Sequence, residues 1–290
     1  MVNGYITRLA VLLMIFDHAI FNGQLVPADQ ARIPMVNKAL FSSFGVYETM
    51  QVVQGQPFYL EEHLCRLLNS ARMLELELGV DEPILTDWFE LLRQIDPQAT
   101  WTMRILAIGA VEPGTNPMIA MWAEPVSTYP DTFYRTGASA ILYEGQRAIP
   151  ACKSLNTLVN YLARRAAVQA GALEGLLHHN GSLTEGARSN VFAVRQSQLV
   201  TPPATDVLSG ITRDVIIQVM QDTDYPVAEQ PIAVEVSLFE EFFISSTSMH
   251  VMPITQIDGQ LIGDGQVGPI TKIAMARFEA TYRRAMGLTS

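Results

Sequence analysis

The sequence has little cysteine and little charge. Its two cysteines, Cys65 and Cys152, show no metal-ligand spacing in a chain of 290 residues. We therefore predict no metal site and a reducing cytoplasm as the location. Charged residues make up only 17% of the chain and the formal net charge is −10. That balance argues against binding nucleic acid or a membrane surface through bulk electrostatics.

Long hydrophobic runs are also missing. The apolar run over residues 9–16 is far too short to span a bilayer. No small-residue cleavage site follows it, which argues against a signal peptide. We interpret residues 1–17 as an extra N-terminal segment, either an added helix or strand or the product of an early start codon, with Met14 or a later codon as the true start.

Hydrophobic periodicity predicts two mixed α/β domains. Residues 18–124 form a small domain that begins with hairpins at 18–26, with an Asn22-Gly23 turn, and at 44–59. A helix over 61–78 stopped by Gly79, a second helix over 82–95, and strands over 101–108 and 118–122 complete it. Residues 125–136 are the interdomain linker, and residues 137–290 form a larger domain that carries Lys153, with helices predicted over 156–170, 211–220 and 270–286.

Lys153 has a setting suited to an amine nucleophile. It stands in a small, apolar, uncharged stretch before a predicted helix, and the nearest charged residues are Arg147 and Arg164. A lysine in apolar surroundings has a lowered pKa, which is what a Schiff-base lysine needs. A surface lysine at a helix start is the alternative on this segment alone.

Three other segments of the second half would complete a site for an anionic aromatic cofactor. Glu185 lies in Thr-Glu-Gly after a turn and could keep a pyridine nitrogen protonated, the state that pyridoxal chemistry needs. Gly210 precedes Ile211 and Thr212 at a predicted helix start, which favours phosphate. Residues 246–248 offer hydroxyls and amides for a phosphate or a carboxylate. Each segment alone is compatible with an ordinary turn, cap or loop.

An ordered set of motifs resembles the class IV aminotransferases, which are fold-type IV pyridoxal-phosphate enzymes. The group includes branched-chain and D-amino acid aminotransferases and aminodeoxychorismate lyases. The resemblance covers about residues 18–287 and rests on these stretches: FNGQLVP at 21–27, GVYET at 45–49, LEEHLCRL at 60–67, KSLN at 153–156, TEGARSNVF at 184–192, SGITR at 209–213 and FISSTS at 243–248.

The resemblance implies a role for each matching residue. It implies a two-domain fold with pyridoxal 5′-phosphate in the interdomain cleft, Lys153 as the Schiff-base lysine and Glu185 as the partner of the ring nitrogen. The phosphate positions would be Arg66, Gly210, Ile211, Thr212 and Thr247, and the substrate positions Tyr47, Ser248 and Leu158. It also implies a homodimer that acts on an amino acid and a 2-oxo acid.

The sequence departs from the family pattern at three places, none of which touches the cofactor residues. Residues 42–44 (Ser-Ser-Phe) replace the glycine and aspartate that commonly precede the GVYE stretch. Leu158 stands where branched-chain enzymes usually carry tyrosine, and Arg104 lies earlier in its strand than the arginine that D-amino acid enzymes use. We therefore expect an aminotransferase of branched-chain or D-amino acid type. The alternatives are an aminodeoxychorismate lyase, which eliminates pyruvate, and a non-catalytic cofactor-binding protein.

Overall fold

The computed structural model describes residues 14–112 and 114–288, which divide into two compact units. The first unit takes in the described residues up to Ser127 together with Cys152–Leu155 and Ala285–Gly287, and the second takes in Thr128–Ala151, Asn156–Arg284 and Leu288. Most of the predicted N-terminal segment lies outside the described residues, and residues 14–17 form neither helix nor strand. None of the described helices is long and apolar enough to cross a membrane.

The first unit is built on an antiparallel sheet of six strands. The strands are β1 His18–Phe21, β2 Gln24–Pro27, β3 Gly45–Val53, β4 Gln56–Pro57, β5 Trp101–Ile108 and β6 Met118–Glu124, in the order β2-β1-β6-β5-β3-β4. The helices are α1 Lys38–Phe41, α2 Leu60–Met73 and α3 Glu82–Arg93. Helix α2 packs on both β3 and α3.

Turn chemistry explains the first hairpin. Asn22 and Gly23 have positive φ angles of 47° and 82°, the backbone that a two-residue turn between twisted strands requires. The two strands pair antiparallel from His18 opposite Pro27 to Phe21 opposite Gln24. The hairpin predicted over residues 18–26 is therefore confirmed.

Side-chain periodicity explains how α2 covers β3. The inward positions of β3 are buried at Val46, Glu48, Met50 and Val52, as expected for a strand with a period of two. Helix α2 buries residues three and four apart, which are His63, Leu64, Leu67, Ser70 and Ala71. The buried face of the strand and the buried face of the helix thus enclose the apolar core together with a few polar side chains.

The predicted helix over 61–78 is too long at its carboxyl end. Helix α2 ends at Met73, and Glu75 then adopts a left-handed φ of 54°. The amide of Leu76 donates to the carbonyl of Ala71 at 2.9 Å, so a turn closes the helix directly after its last residue. Gly79 is therefore not the residue that stops this helix.

The second unit contains a ten-stranded mixed sheet. Its strands are β7 Ala138–Glu144, β8 Glu174–His179, β9 Ser182–Gly186, β10 Asn190–Arg195, β11 Gln198–Thr201, β12 Ala228–Glu229, β13 Ile232–Ala233, β14 Glu241–Ser246, β15 His250–Ile257 and β16 Gln260–Leu261. The order is β12-β11-β10-β14-β15-β7-β8-β9-β13, with β16 beside β15. Strand β9 also pairs with β10, where Glu185 lies opposite Asn190.

The helices of the second unit are α4 Asp131–Thr136, α5 Leu158–Gln169, α6 Ile211–Met220 and α7 Pro269–Ala285. Helix α4 lies inside the stretch 125–136, where the sequence predicts only a linker. Pro130, with a φ of −58°, stands at its N-cap and Asp131 in its first turn, and an acidic side chain there stabilises the positive end of a helix. The mixed α/β class is confirmed.

Candidate active site

The segment that carries Lys153 is held by the first unit. Its residues Cys152–Leu155 group with that unit, and not with the predicted domain over 137–290. Ser154 forms an antiparallel bridge with Val46 of β3, and the amide of Tyr47 donates to the carbonyl of Lys153 at 3.1 Å. On the other side, the amide of Lys153 donates to Ser70 Oγ at 3.0 Å. The backbone of Lys153 is thus fixed between β3 and α2.

The amine of Lys153 lies over an aromatic ring. Its Nζ is 4.6 Å from the centroid of the Tyr47 ring, a distance at which an ammonium is attracted to the ring face. Lys153 as a whole residue is half-buried. Tyr47, a predicted substrate residue, is therefore beside the predicted Schiff-base lysine.

Arg66 belongs to a buried polar cluster. Its Nε donates to Oε2 of Glu48 at 2.9 Å and its Nη2 to Oε1 at 2.6 Å. His63 Nδ1 lies 3.2 Å from Glu48 Oε1 and 3.3 Å from Arg66 Nη2. Burial lowers the pKa of His63, although the carboxylate of Glu48 opposes that shift. Neither Glu48 nor His63 was among the predicted site residues.

One signal could have found Glu48. It occupies an inward position of β3, in register with Val46 and Met50. A carboxylate among the apolar positions of an alternating strand requires a buried partner, because an unpaired buried charge is strongly destabilising. The strand pattern therefore predicts a nearby cation, but it does not identify that cation as Arg66.

Glu185 is paired with Arg147, which was not among the predicted site residues. Arg147 donates through Nε to Glu185 Oε1 and through Nη2 to Oε2 at 3.2 Å. The amide of Leu208 lies 3.4 Å from the same Oε2. Both side chains of the ion pair are buried. The available signal was that Arg147 is the nearest charged residue before Lys153 in the chain.

A third buried carboxyl, Glu174, lies behind the turn that follows Glu185. Burial raises the pKa of Glu174 to about 7, against the opposing effects of Arg188, the Gly175 amide, Arg164 and Ser189. Ser189 Oγ lies 3.5 Å from Oε2 of Glu174, and Arg188 Nε lies 3.8 Å away. Glu174 is therefore a group that titrates near neutral pH inside the second unit.

We expect Glu174→Gln to change how stability depends on pH. Because the folded pKa of about 7 lies above the ordinary 4.5, the native state loses stability as pH rises through that window. The glutamine variant lacks this loss. Its free energy of unfolding relative to that of wild type should therefore rise between pH 5 and pH 8, by at most about 3 kcal/mol. Urea unfolding of both proteins at several pH values measures this, and a constant difference would contradict it.

The predicted phosphate segment forms a helix N-terminus. Helix α6 begins at Ile211 with Gly210 as its N-cap, and a Cβ on Gly210 would lie 2.1 Å from Asn190 Oδ1. Asn190 Nδ2 in turn donates to the carbonyl of Leu208 at 2.8 Å. The side chain of Thr212 is buried. The first amides of a helix have no partner within the helix, so this end can bind an anion.

The predicted Ser-Thr-Ser segment joins β14 to β15. Ser246 Oγ accepts from the amide of Met249 at 3.1 Å, and Ser248 Oγ is 3.3 Å from the hydroxyl of Tyr129. Thr247 and Ser248 are both half-buried. Among the described residues, Ser245 Oγ is buried without a hydrogen-bond partner. This segment therefore carries hydroxyl groups whose hydrogen-bonding capacity is only partly satisfied by the described residues.

Leu158 and Arg104 are placed less favourably for substrate binding. Leu158 is the first residue of α5 and is 66% exposed. Arg104 is bound to Glu124 Oε2 at 2.8 Å and to Thr49 Oγ1 at 2.6 Å.

In the first unit the structure brings together Lys153, Tyr47 and Arg66, and the remaining predicted site residues lie in the second unit. The described residues contain no cluster of His, Cys, Asp and Glu that could hold a metal ion.

Comparisons with known proteins agree on one family. Residues 45–257 match the family model for amino-transferase class IV. A D-alanine aminotransferase of Bacillus licheniformis is 31% identical over 263 residues, which covers 87% of this chain and 93% of that protein. The branched-chain amino acid aminotransferase of Escherichia coli superposes with a TM-score of 0.85 at 27% identity, over 94% of this chain and 96% of that chain. A T.th. branched-chain amino acid aminotransferase solved with pyridoxamine 5′-phosphate superposes with a TM-score of 0.86 at 26% identity, over 95% of this chain and 96% of that chain.

Proposed function

This chain belongs to the class IV aminotransferases, and from that membership we propose which of its residues carry the reaction and which amino acid it uses. The chain transfers an amino group between an amino acid and a 2-oxo acid, and its cofactor is pyridoxal 5′-phosphate. The observation that carries the proposal is the placement of Lys153, whose backbone is held on both sides while its Nζ lies over the Tyr47 ring.

The functional groups of the predicted site residues fit this cofactor. An aldehyde needs an amine, a pyridine nitrogen needs an acid, and a phosphate needs amides, hydroxyls and a guanidinium. Lys153 supplies the amine, Glu185 the acid, and the start of α6 the amides. Bound pyridoxal phosphate supplies an aldehyde that joins an amine and a ring that accepts electrons when the Cα–H bond of the substrate breaks.

Lys153 performs the proton transfers. The Nζ of Lys153 would move a proton from the substrate Cα to the aldehyde-derived carbon of the cofactor, as general base and then general acid. The hydrogen bonds from Tyr47 and to Ser70 hold the backbone of Lys153. They fix the point on the backbone from which the side chain of Lys153 extends.

Glu185 holds a proton on the ring nitrogen. Its carboxylate is oriented by Arg147, and an ionised carboxylate offers about four lone-pair sites, so it can accept a further N–H bond from the ring. The phosphate would be held by the amides of Ile211 and Thr212 after Gly210, by the hydroxyls of Thr212 and Thr247, and by Arg66. Tyr47, Ser248 and Leu158 border the substrate.

We propose a small D-amino acid of the D-alanine type as the amino donor. The D-alanine aminotransferase of Bacillus licheniformis is 31% identical to this chain, and the two solved branched-chain enzymes are 27% and 26% identical. Because Arg104 is engaged by Glu124 and Thr49, we assign the substrate carboxylate to the loop with Ser248. A branched-chain L-amino acid is the second candidate, which the structural matches support.

A half-reaction panel tests the substrate. We expect D-alanine to bleach the visible band of the cofactor-loaded protein faster than L-alanine or L-leucine by at least about tenfold, the ratio for a barrier difference of about 1.4 kcal/mol. Stopped-flow absorbance measures each rate. Faster bleaching by L-leucine would favour the branched-chain candidate, and pyruvate released from aminodeoxychorismate without an amino acceptor would favour the lyase.

Two further properties stay predictions. The first is assembly as a homodimer, which equilibrium sedimentation measures. The second is a cytoplasmic location, which the low cysteine content of the sequence supports.

A further inference from the structure

The buried cluster of Glu48, His63 and Arg66 is not explained by packing alone. These three polar side chains contact one another between β3 and α2, where most of the surrounding inward positions are apolar. We propose that Glu48 is a positioning residue that fixes the Arg66 guanidinium in the orientation that binds the phosphate of the cofactor. This inference rests on the proposed role of Arg66 as a phosphate ligand.

The geometry of the pair supports this role. Glu48 is 0% exposed and Arg66 10% exposed, and both oxygens of the carboxylate take part, one with Nε and one with Nη2. Two parallel bonds define the plane of the guanidinium as well as its distance. A planar fork recognises a phosphate in its own plane, so fixing that plane decides whether the fork can bind.

The charge balance shows what Arg66 can contribute. Burial alone opposes the ionisation of Glu48, but Arg66 and His63 overcome it and hold the pKa of Glu48 well below its usual range. Glu48 is therefore anionic at neutral pH and offsets the charge of Arg66. The arginine then acts on a phosphate mainly through donors of fixed direction, and the orientation given by Glu48 matters more than net charge.

His63 adds an independent observation. Its Nδ1 contacts the Glu48–Arg66 pair, while its Nε2 is buried and has no hydrogen-bond partner among the described residues. A buried polar atom without a protein partner calls for one supplied from outside the chain. Burial has the largest effect on the pKa of His63 and lowers it, Glu48 opposes that shift, and Arg66 and then Lys153 lower it further, so the cluster and the Lys153 side chain interact electrostatically.

Helix α2 links the cluster to the lysine segment. Arg66 and Ser70 are four residues apart on this helix, which corresponds to about 6 Å along its axis. Ser70 accepts the hydrogen bond from the amide of Lys153. A single rigid element therefore sets the spacing between the proposed phosphate ligand and the backbone of the proposed Schiff-base lysine.

The test compares two aldehydes that differ only in the phosphate. Dissociation constants for pyridoxal 5′-phosphate and pyridoxal are measured from the visible band in wild type, Glu48→Gln and Glu62→Gln. We expect Glu48→Gln to weaken pyridoxal 5′-phosphate by about 10- to 100-fold, the effect of a lost charged hydrogen bond, with pyridoxal nearly unchanged. Glu62, which is exposed on the same helix, should change neither constant.

The ratio of the two constants separates positioning from folding, because a general structural defect weakens both aldehydes alike. Should Glu48→Gln fail to fold, Glu48→Asp keeps the charge but withdraws the carboxylate by one methylene, and it should show the same selective loss. Equal losses for both aldehydes, or no loss, in whichever variant folds would overturn the inference. If wild type forms no band with pyridoxal 5′-phosphate, the proposed function is refuted, and so is this inference, which depends on it.

Discussion

Lys153→Ala should abolish the visible band that forms when pyridoxal 5′-phosphate is added to the protein, and it should reduce transamination by about 10²- to 10⁴-fold, the usual contribution of a positioned general base. The amine of Lys153 is the group that we assign both to the aldehyde and to the proton transfer at the substrate Cα. Its removal deletes both functions, whereas the backbone bonds to Tyr47 and Ser70 do not depend on the side chain.

The composition of the chain provides matched controls for this variant. Lysine occurs three times, at Lys38, Lys153 and Lys272. Lys38 is 72% exposed and paired with Glu112, and Lys272 is exposed on α7. Lys38→Ala and Lys272→Ala should keep the band and the activity. Hydride reduction followed by peptide mass analysis should find the label on residue 153 in wild type, and a label on either control lysine would refute the assignment.

The fold was predictable where local chemistry decides the structure. The Asn22-Gly23 turn follows from two residues that tolerate positive φ, and the start of α2 follows from its apolar period. The end of α2 was not predictable in this way, because Glu75 adopts a left-handed φ of 54° without being glycine or asparagine. Helix α4 was missed because its six residues are too few to show a helical period.

The candidate site was predictable only as separate segments. Motif resemblance indicates Lys153 and Glu185, since each lies in a short local pattern. The two buried ion pairs were not predictable, because Glu48 and Arg66 are 18 positions apart and Arg147 and Glu185 are 38 positions apart. Pairings of this kind depend on how strands and helices pack, and no local period records them. The same reason explains why Arg66, taken alone, resembles a solvated helix arginine.

Glu185→Gln should lower the rate of transamination by about 10- to 1000-fold while the visible band at Lys153 is kept. A carboxylate beside a basic nitrogen raises the pKa of that nitrogen by about 1–3 units, and each unit corresponds to tenfold in the protonated fraction. The neutral amide cannot hold the proton on the ring, so the ring accepts electrons less well. Single-turnover absorbance with saturating amino acid measures the rate, and the band itself reports that the cofactor is bound.

Arg147 must be considered in interpreting that variant, because Glu185→Gln leaves a buried guanidinium without its anion. Breaking a buried pair from one side destabilises a protein by about 3–5 kcal/mol, so a slower variant could reflect a distorted fold. The double variant with Arg147→Gln removes both charges and should recover most of the unfolding free energy in urea, yet the rate should stay low. A double variant that regains the wild-type rate would show that the ion pair serves the fold and that the acid at 185 has no part in holding the ring proton.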